Sequence, residues 1–161
     1  MALSGRQTVL MAEPVTEYCV DRDLGDPGEA ELACQAVLAA VLPRVDRTWI
    51  DAISDHKDLP AAPRATQTAL VQVGLPQGCG DSGLGVELDV RRSDHVSLLR
   101  AFASWSIGVE LYDVSMRWVA YFSDTGSSIS FNVTEEEAAA VRASLGTLPM
   151  LTVREMKARK R

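Results

Sequence analysis

The chain has 161 residues, 47% of them hydrophobic and 24% charged, with a formal net charge of −6. These values are typical of one soluble globular domain that buries a sizeable core. The longest apolar run, at residues 36–42, is far too short to span a bilayer, which argues against a membrane protein.

The cysteines and the N-terminal residues indicate a compartment. Three cysteines at unrelated spacings favour reduced thiols over a disulfide framework. The first residues lack the pattern of a secretory signal peptide. We therefore expect a cytoplasmic protein.

The charge is unevenly distributed along the chain. Residues 154–161 hold five of the 16 Lys and Arg residues and one of the 22 acids, which leaves 11 bases and 21 acids in residues 1–153. An acidic body disfavours a duplex-binding face because it repels phosphates. We therefore expect a single domain over 1–153 and a basic, frayed tail over 154–161, which is the one place suited to nucleic acid.

In chain order, the first predicted elements are one or two short strands and a helix. Residues 7–20 combine β-branched and apolar residues, as strands do. Asp26 is a suitable N-cap and Pro27 suits the first helical position, so a helix should run to about Leu42. Its apolar side is expected to include Leu32.

The next stretch predicts a second helix, a loop and a strand. Residues 44–59 indicate a helix that buries Trp49 and Ile50. Residues 60–65 contain two prolines and predict a loop. Residues 66–74 end in apolar residues that alternate with polar ones, which is typical of a strand.

A glycine-rich loop at 74–85 separates that strand from the following elements. Residues 85–91 alternate in polarity and predict a strand. A helix is expected over 93–105, capped by Ser93 or Asp94, and another strand over 107–114.

The clearest predicted element is a hairpin at residues 115–134. Each arm has three apolar residues at alternate positions. All six lie on one face of the hairpin only in the register that leaves residues 124–127 as a four-residue loop. The predicted pairs are Trp118 with Val133, Ala120 with Phe131, and Phe122 with Ile129.

A last helix and a short strand complete the fold prediction. Thr134 and Glu137 form a capping box, and Gly146 suits the end of that helix. Residues 147–153 suggest a final strand. The order predicts an α+β domain with a mainly antiparallel sheet of about five strands, amphipathic helices on one face and the other face open.

The glycine loop contains two well-known patterns, and we interpret neither as a site. Gly78 to Gly83 fits G-x-G-x-x-G, but a dinucleotide loop needs a helix after it and a strand is predicted there. Gly80 to Gly83 fits the G-D-S-G of trypsin-like proteases, but neither histidine has the surroundings of a catalytic base. We expect a turn whose glycines take positive φ values.

The candidate site follows from the alternation of the strands. Polar and aromatic side chains should project from the open face, and Tyr and Arg are enriched at binding hot spots. The candidate partner-binding residues are Glu87, Asp89, Glu110, Tyr112, Arg117, Tyr121 and Asn132. We predict no catalytic residue, no metal ligand and no cofactor. A second candidate surface is the acidic segment from Glu13 to Glu31.

These features predict a non-enzymatic, acidic protein-interaction domain with a basic protein partner. A bacterial toxin-neutralising (immunity-type) protein is one concrete form of this expectation, by analogy of size and charge. The alternative is a small-molecule-binding or enzymatic domain with a pocket between sheet and helices. A third reading is a nucleic-acid-associated protein that uses its C-terminal arm.

Overall fold

A computed structural model describes residues 12–21 and 26–160. The strands are β1 (Thr16–Val20), β2 (Arg47–Ile50), β3 (Val86–Leu88), β4 (Gly108–Tyr112), β5 (Trp118–Ser123), β6 (Ser128–Val133) and β7 (Met150–Thr152). The helices are α1 (Pro27–Val41), α2 (Ala61–Gly74), α3 (Ser93–Phe102), α4 (Glu135–Leu145) and α5 (Val153–Arg159). Short 3-10 turns follow α1 and α2.

The strands form one antiparallel sheet in the order β3-β2-β4-β5-β6-β1-β7. The α+β class and the mainly antiparallel sheet are confirmed. The expected count of about five strands is too low, since the described residues contribute seven.

The core lies between one face of the sheet and helices α1 to α4. Inward-facing strand residues alternate with more exposed ones, as in β4, where Val109 and Leu111 are buried and their neighbours are not. Helix α1 packs on β5, β6 and α4, while α2 and α3 pack near β3. The largest fully buried side chains include Leu38, Phe102, Phe122 and Phe131.

Helix α1 begins as predicted. The Asp26 carboxylate accepts hydrogen bonds from the backbone N–H groups of Gly28 and Glu29, and Pro27 occupies the first turn. Leu32, expected on the apolar side, is instead 43% exposed. The buried residues of this helix are mostly small residues and valines. The helix therefore packs closely against its neighbours, and Leu32 takes no part in this packing.

The helix predicted over 44–59 is wrong. Residues Arg47–Ile50 form β2, and residues 51–60 form a loop. Thr48 and Ile50 are buried while Arg47 and Trp49 are more exposed, which is the period of a strand. Two branched residues at alternate positions favour this conformation over a helix.

The loop and strand predicted over 60–74 are also wrong, because residues Ala61–Gly74 form α2. Pro63 lies in the first turn, where its missing N–H costs no helical hydrogen bond. The buried residues are Pro63, Leu70 and Gly74, seven and four positions apart, which is a helical spacing.

The hairpin register is confirmed at its two inner pairs, with Ala120 opposite Phe131 and Phe122 opposite Ile129. Residues 124–127 form the loop between the strands. At the other end a β-bulge places Trp118 opposite Tyr112, on the face away from the core. The prediction that Trp118 shares the core face is therefore wrong.

Both ends of the chain also bear on the predictions. Of the strands expected at 7–20, the structure shows β1, while residues 7–11 lie outside the described part. Residues Val153–Arg159 form α5, with a Thr152–Glu155 capping box, rather than a frayed tail. Helix α5 contacts β1, and Arg159 lies 3.6 Å from the Asp21 carboxylate.

Among the described helices, none has the length and apolarity that a membrane crossing requires.

Candidate functional site

One row of side chains crosses the sheet on the face opposite the core, which we call the open face. Directly opposed residues of antiparallel strands share a face. The strand registers align, from one edge to the other, Glu87, Trp49, Glu110, Tyr121, Ser130, Cys19 and Leu151. The first four residues make this half of the open face both acidic and aromatic.

Helix α5 lies against the other end of the row. Leu151 shares the face of Cys19 yet is only 9% exposed, and α5 borders a cavity together with Glu17. Burial, and then the charges of Asp21 and Glu17, raise the pKa of the Cys19 thiol. This end is therefore covered, and the accessible part of the open face lies over β2 to β5.

The accessible part of the open face contains a cleft of about 460 Å³, which we call the aromatic cleft. The rings of Trp49 and Tyr112 meet edge to face, with centroids 5.5 Å apart. The Tyr112 hydroxyl donates a hydrogen bond of 3.0 Å to Glu110 Oε2. This hydrogen bond, with burial and the Glu110 charge, raises the pKa of Tyr112. The phenol thus stays protonated and orients the Glu110 carboxylate.

A second carboxylate, that of Asp51, lies at the end of the aromatic cleft. Its Oδ1 accepts a hydrogen bond of 2.8 Å from the backbone N–H of Gly85. A Cβ at Gly108 would lie 2.7 Å from Asp51 Oδ2, so a larger residue there would displace this carboxylate from its present position. The Ser106 hydroxyl donates to the Asp51 carbonyl at 2.7 Å. The Asp51 carboxylate is therefore held by Gly85, and its backbone is held by Ser106.

One cation borders the aromatic half of the row. The Arg47 guanidinium lies 5.6 Å from the centroid of the Trp49 ring and 3.1 Å from Glu87 Oε1. Both charged side chains are more than 40% exposed, so the ion pair contributes little to stability. The carboxylates of Asp51, Glu87 and Glu110 outnumber this cation, which leaves the region acidic.

The remaining predicted residues lie apart from the aromatic cleft. Asp89 follows β3, and its hydrogen bonds from Arg91 lower the pKa of its carboxyl group. Asn132 lies on the open face of β6 and donates to the Trp118 carbonyl at 3.3 Å. Arg117 lies in the turn before β5, not on a strand. Of the seven predicted residues, Glu110, Tyr112 and Tyr121 line the aromatic cleft, and Glu87 lies on the same face at the edge strand β3.

The turn between β4 and β5 is held by Asp113, which is 7% exposed. Its Oδ1 accepts hydrogen bonds from the N–H groups of Ser115 and Arg117, and its Oδ2 accepts one from Arg117 Nε at 2.8 Å. The turn presents two apolar side chains to solvent, Val114 at 79% and Met116 at 49% exposure. Met116 also borders the aromatic cleft.

The turn gives a prediction about acid stability. Burial raises the pKa of Asp113, but hydrogen bonds from Arg117 and Ser115 outweigh it, so the pKa lies below its ordinary value. The carboxylate therefore stabilises the fold above about pH 4, and this stabilisation is lost as the pH falls through the folded-state pKa. Asp113→Asn is expected to cost about 1.5–3 kcal/mol at pH 7, the range for a hydrogen bond to a charged group.

Urea unfolding of both proteins at pH 7 and pH 3 tests this prediction. The gap in free energy of unfolding between wild type and Asp113→Asn should narrow at pH 3. An equal gap at the two pH values would show that the Asp113 charge does not hold the turn.

No family model, curated protein or solved structure matches this chain. We therefore infer a function from the geometry of the open face.

The glycine loop forms a turn between α2 and β3, rather than between two strands. Four of its glycines, at 78, 80, 83 and 85, have positive φ, as predicted. The prediction is wrong at Gly74, which ends α2 with φ −73. The Ser82 hydroxyl donates to the Cys79 carbonyl at 2.7 Å, a local contact that closes the loop. The Gln77 side chain hydrogen-bonds both backbone groups of Glu87, at 2.8 Å each, and so caps the edge of β3.

The two histidines lie in separate surroundings. The His56 ring meets Trp105 at 5.0 Å, and His95 Nδ1 accepts a hydrogen bond of 3.0 Å from the N–H of Asp89. In residues 12–21 and 26–160, no three His, Cys, Asp or Glu side chains are grouped to hold a metal ion.

Trp49 and Asp51 were missing from the predicted site. The sequence pattern predicts a helix for both residues, and residues of a helix do not belong to the face of the sheet that carries Glu110. The signal that would have placed them is the alternation from Arg47 to Asp51, in which Thr48 and Ile50 occupy the buried positions.

Proposed function

We propose that this chain is a non-enzymatic protein-interaction domain that binds a basic protein partner through the open face of its sheet. The observation that carries the proposal is the row of Glu87, Trp49, Glu110 and Tyr121 across four neighbouring strands. Aromatic side chains supply rigid contact area, and acidic ones attract and orient a basic surface. Neutralisation of a basic toxin is one concrete form of this function.

The turn at Asp113 supports the same proposal. It projects Val114 and Met116 beside the acidic row, and its hydrogen bonds hold them in place before any partner arrives. A rigid apolar contact loses little conformational entropy on binding.

The alternative of a pocket between sheet and helices has less support. Leu38, Phe102, Phe122 and Phe131 fill that layer, and each is 0% exposed. The aromatic cleft lies on the other side of the sheet. Binding of a partner in the aromatic cleft is therefore favoured over binding of a ligand between the sheet and the helices.

Affinity capture from cells that encode the protein, with matched variants, tests the proposal. The wild type and Glu136→Gln should retain a basic protein, and the double variant Glu110→Gln/Tyr121→Ala should lose it at the same ionic strength. Glu136 is an exposed acid of α4, on the side of the sheet opposite the open face. Glu136→Gln therefore removes the same charge as Glu110→Gln, but away from the proposed site. With the purified partner, the double variant should weaken binding at least tenfold, about 1.4 kcal/mol.

Two results would count against this function. One is equal retention of the partner by the double variant, and the other is recovery of nucleic acid or acidic proteins alone. High salt should slow association with the partner, because the steering charges are exposed.

A further inference from the structure

The arrangement around Glu110 has the features of a binding site for one cationic side chain. Glu110 is directly opposite Trp49 on one side and Tyr121 on the other. Adjacent strands lie about 4.8 Å apart, so the two aromatic residues flank the carboxylate across about 10 Å. An acid between two rings is a composition that attracts cations over apolar or anionic groups.

Glu110 also keeps a free hydrogen-bonding position. Its Oε2 accepts the Tyr112 hydroxyl, and within the described ranges its Oε1 accepts no hydrogen bond and neither oxygen has a cationic partner. Asp51 Oδ2 is likewise without a hydrogen-bond donor in the described part of the chain, and it borders the same cleft. Two carboxylate oxygens are thus available to N–H donors.

The adjacent pair of the row, Glu87 and Trp49, already holds a guanidinium. Arg47 lies over the Trp49 ring at 5.6 Å and pairs with Glu87 at 3.1 Å. Glu110 and Tyr121 repeat this combination of acid and ring two strands further along. No arginine of the described residues pairs with Glu110 or lies over the Tyr121 ring. The open face therefore contains one occupied and one unoccupied version of the same arrangement.

We infer that the aromatic cleft binds an arginine side chain of the protein partner, with its guanidinium on the Glu110 carboxylate between Trp49 and Tyr121. A planar guanidinium stacks on aromatic rings and donates in parallel to carboxylate oxygens, and it is more weakly hydrated than an ammonium. This inference rests on the proposed function, because the arginine belongs to the basic partner.

The test uses the purified full chain and a small probe, N-acetyl-arginine N-methylamide. Amide and indole N–H resonances are followed by NMR as the probe is added. Saturable shifts should concentrate at Trp49, Glu110 and Tyr121. The neutral citrulline analogue should give at least fivefold weaker binding, and the lysine analogue should also bind more weakly. Glu110→Gln should weaken arginine binding at least fivefold, while Glu136→Gln should leave it unchanged.

Three results would overturn the inference. They are equal binding of the citrulline or lysine analogue, shifts spread evenly over all exposed acids, and an unchanged affinity in Glu110→Gln. A thermal melt of Glu110→Gln separates lost binding from lost folding, and Tyr121→Ala provides a second variant at the same site.

The two proposals fail in different ways. Specific binding of the arginine probe without capture of a basic protein supports the cleft and contradicts the proposed function. Capture that depends on the open face, without binding of the probe, supports the function and contradicts the arginine site.

Discussion

Replacement of Phe122 by alanine is expected to lower the free energy of unfolding by about 3–5 kcal/mol, the range for large-to-small changes in a core. Phe122 is 0% exposed and lies on β5 between Val109 of β4 and Ile129 of β6. Its removal leaves a cavity beneath the centre of the sheet, where neighbouring strands have little freedom to close in. Urea unfolding measures the loss, with the dependence of the free energy of unfolding on urea concentration fitted for each protein.

Tyr121 provides the matched control, since it is the preceding residue on the same strand and faces the other way. It is 37% exposed on the open face. Tyr121→Ala should change stability by no more than about 0.5 kcal/mol, as ordinary surface sites do. The reverse result, a harmless Phe122→Ala and an unfolded Tyr121→Ala, would invert the faces of β5 and remove the proposed open-face site.

The hairpin shows where sequence reasoning succeeds. Alternation on both arms of 115–134 left one register that keeps the apolar residues together, and the structure has that register around Ala120 and Phe122. The caps at Asp26 and Thr134 were predictable for a similar reason, because each uses a side chain to bind specific backbone N–H groups nearby. These are local constraints that the sequence states directly.

The wrong predictions concern short segments whose apolar residues fit both the period of a helix and the period of a strand. Residues 66–74 alternate over a few positions, yet the spacing of Pro63, Leu70 and Gly74 is helical over a longer window. At β2, the four-residue strand and the polar loop that follows Ile50 together have the sequence pattern of one longer helix. Tertiary packing decides such cases, since each segment takes the conformation that buries its apolar residues.

The site was predictable only in part. Alternation placed Glu87, Glu110 and Tyr121 on one face, but it gave neither the strand order nor the neighbour of Glu110. Trp49 comes from a strand that precedes Glu110 by about 60 residues, and sequence alone does not state which strands pair. The bulge at Trp118 is similarly set by the pairing with β4.

The glycine loop gives the second large prediction, at Gly83. Gly83 has φ +71, and a Cβ there would lie 3.0 Å from Ala52 Cβ and 3.1 Å from the Ala52 carbonyl oxygen. Gly83→Ala should therefore cost about 2–4 kcal/mol, from the left-handed backbone and from crowding against the chain. Gly80 has φ +62 with nothing near the added methyl, so Gly80→Ala should cost only about 1 kcal/mol.

The Gly83 substitution also connects the loop to the proposed site. The Gly83 carbonyl accepts a hydrogen bond of 2.7 Å from the N–H of Ala52, next to Asp51, and Gly85 donates to the Asp51 carboxylate. Amide shifts in Gly83→Ala should thus extend to Asp51, and the arginine probe should bind more weakly than to Gly80→Ala. Equal stabilities of the two variants, with unshifted Asp51 resonances, would show that the loop does not position this carboxylate.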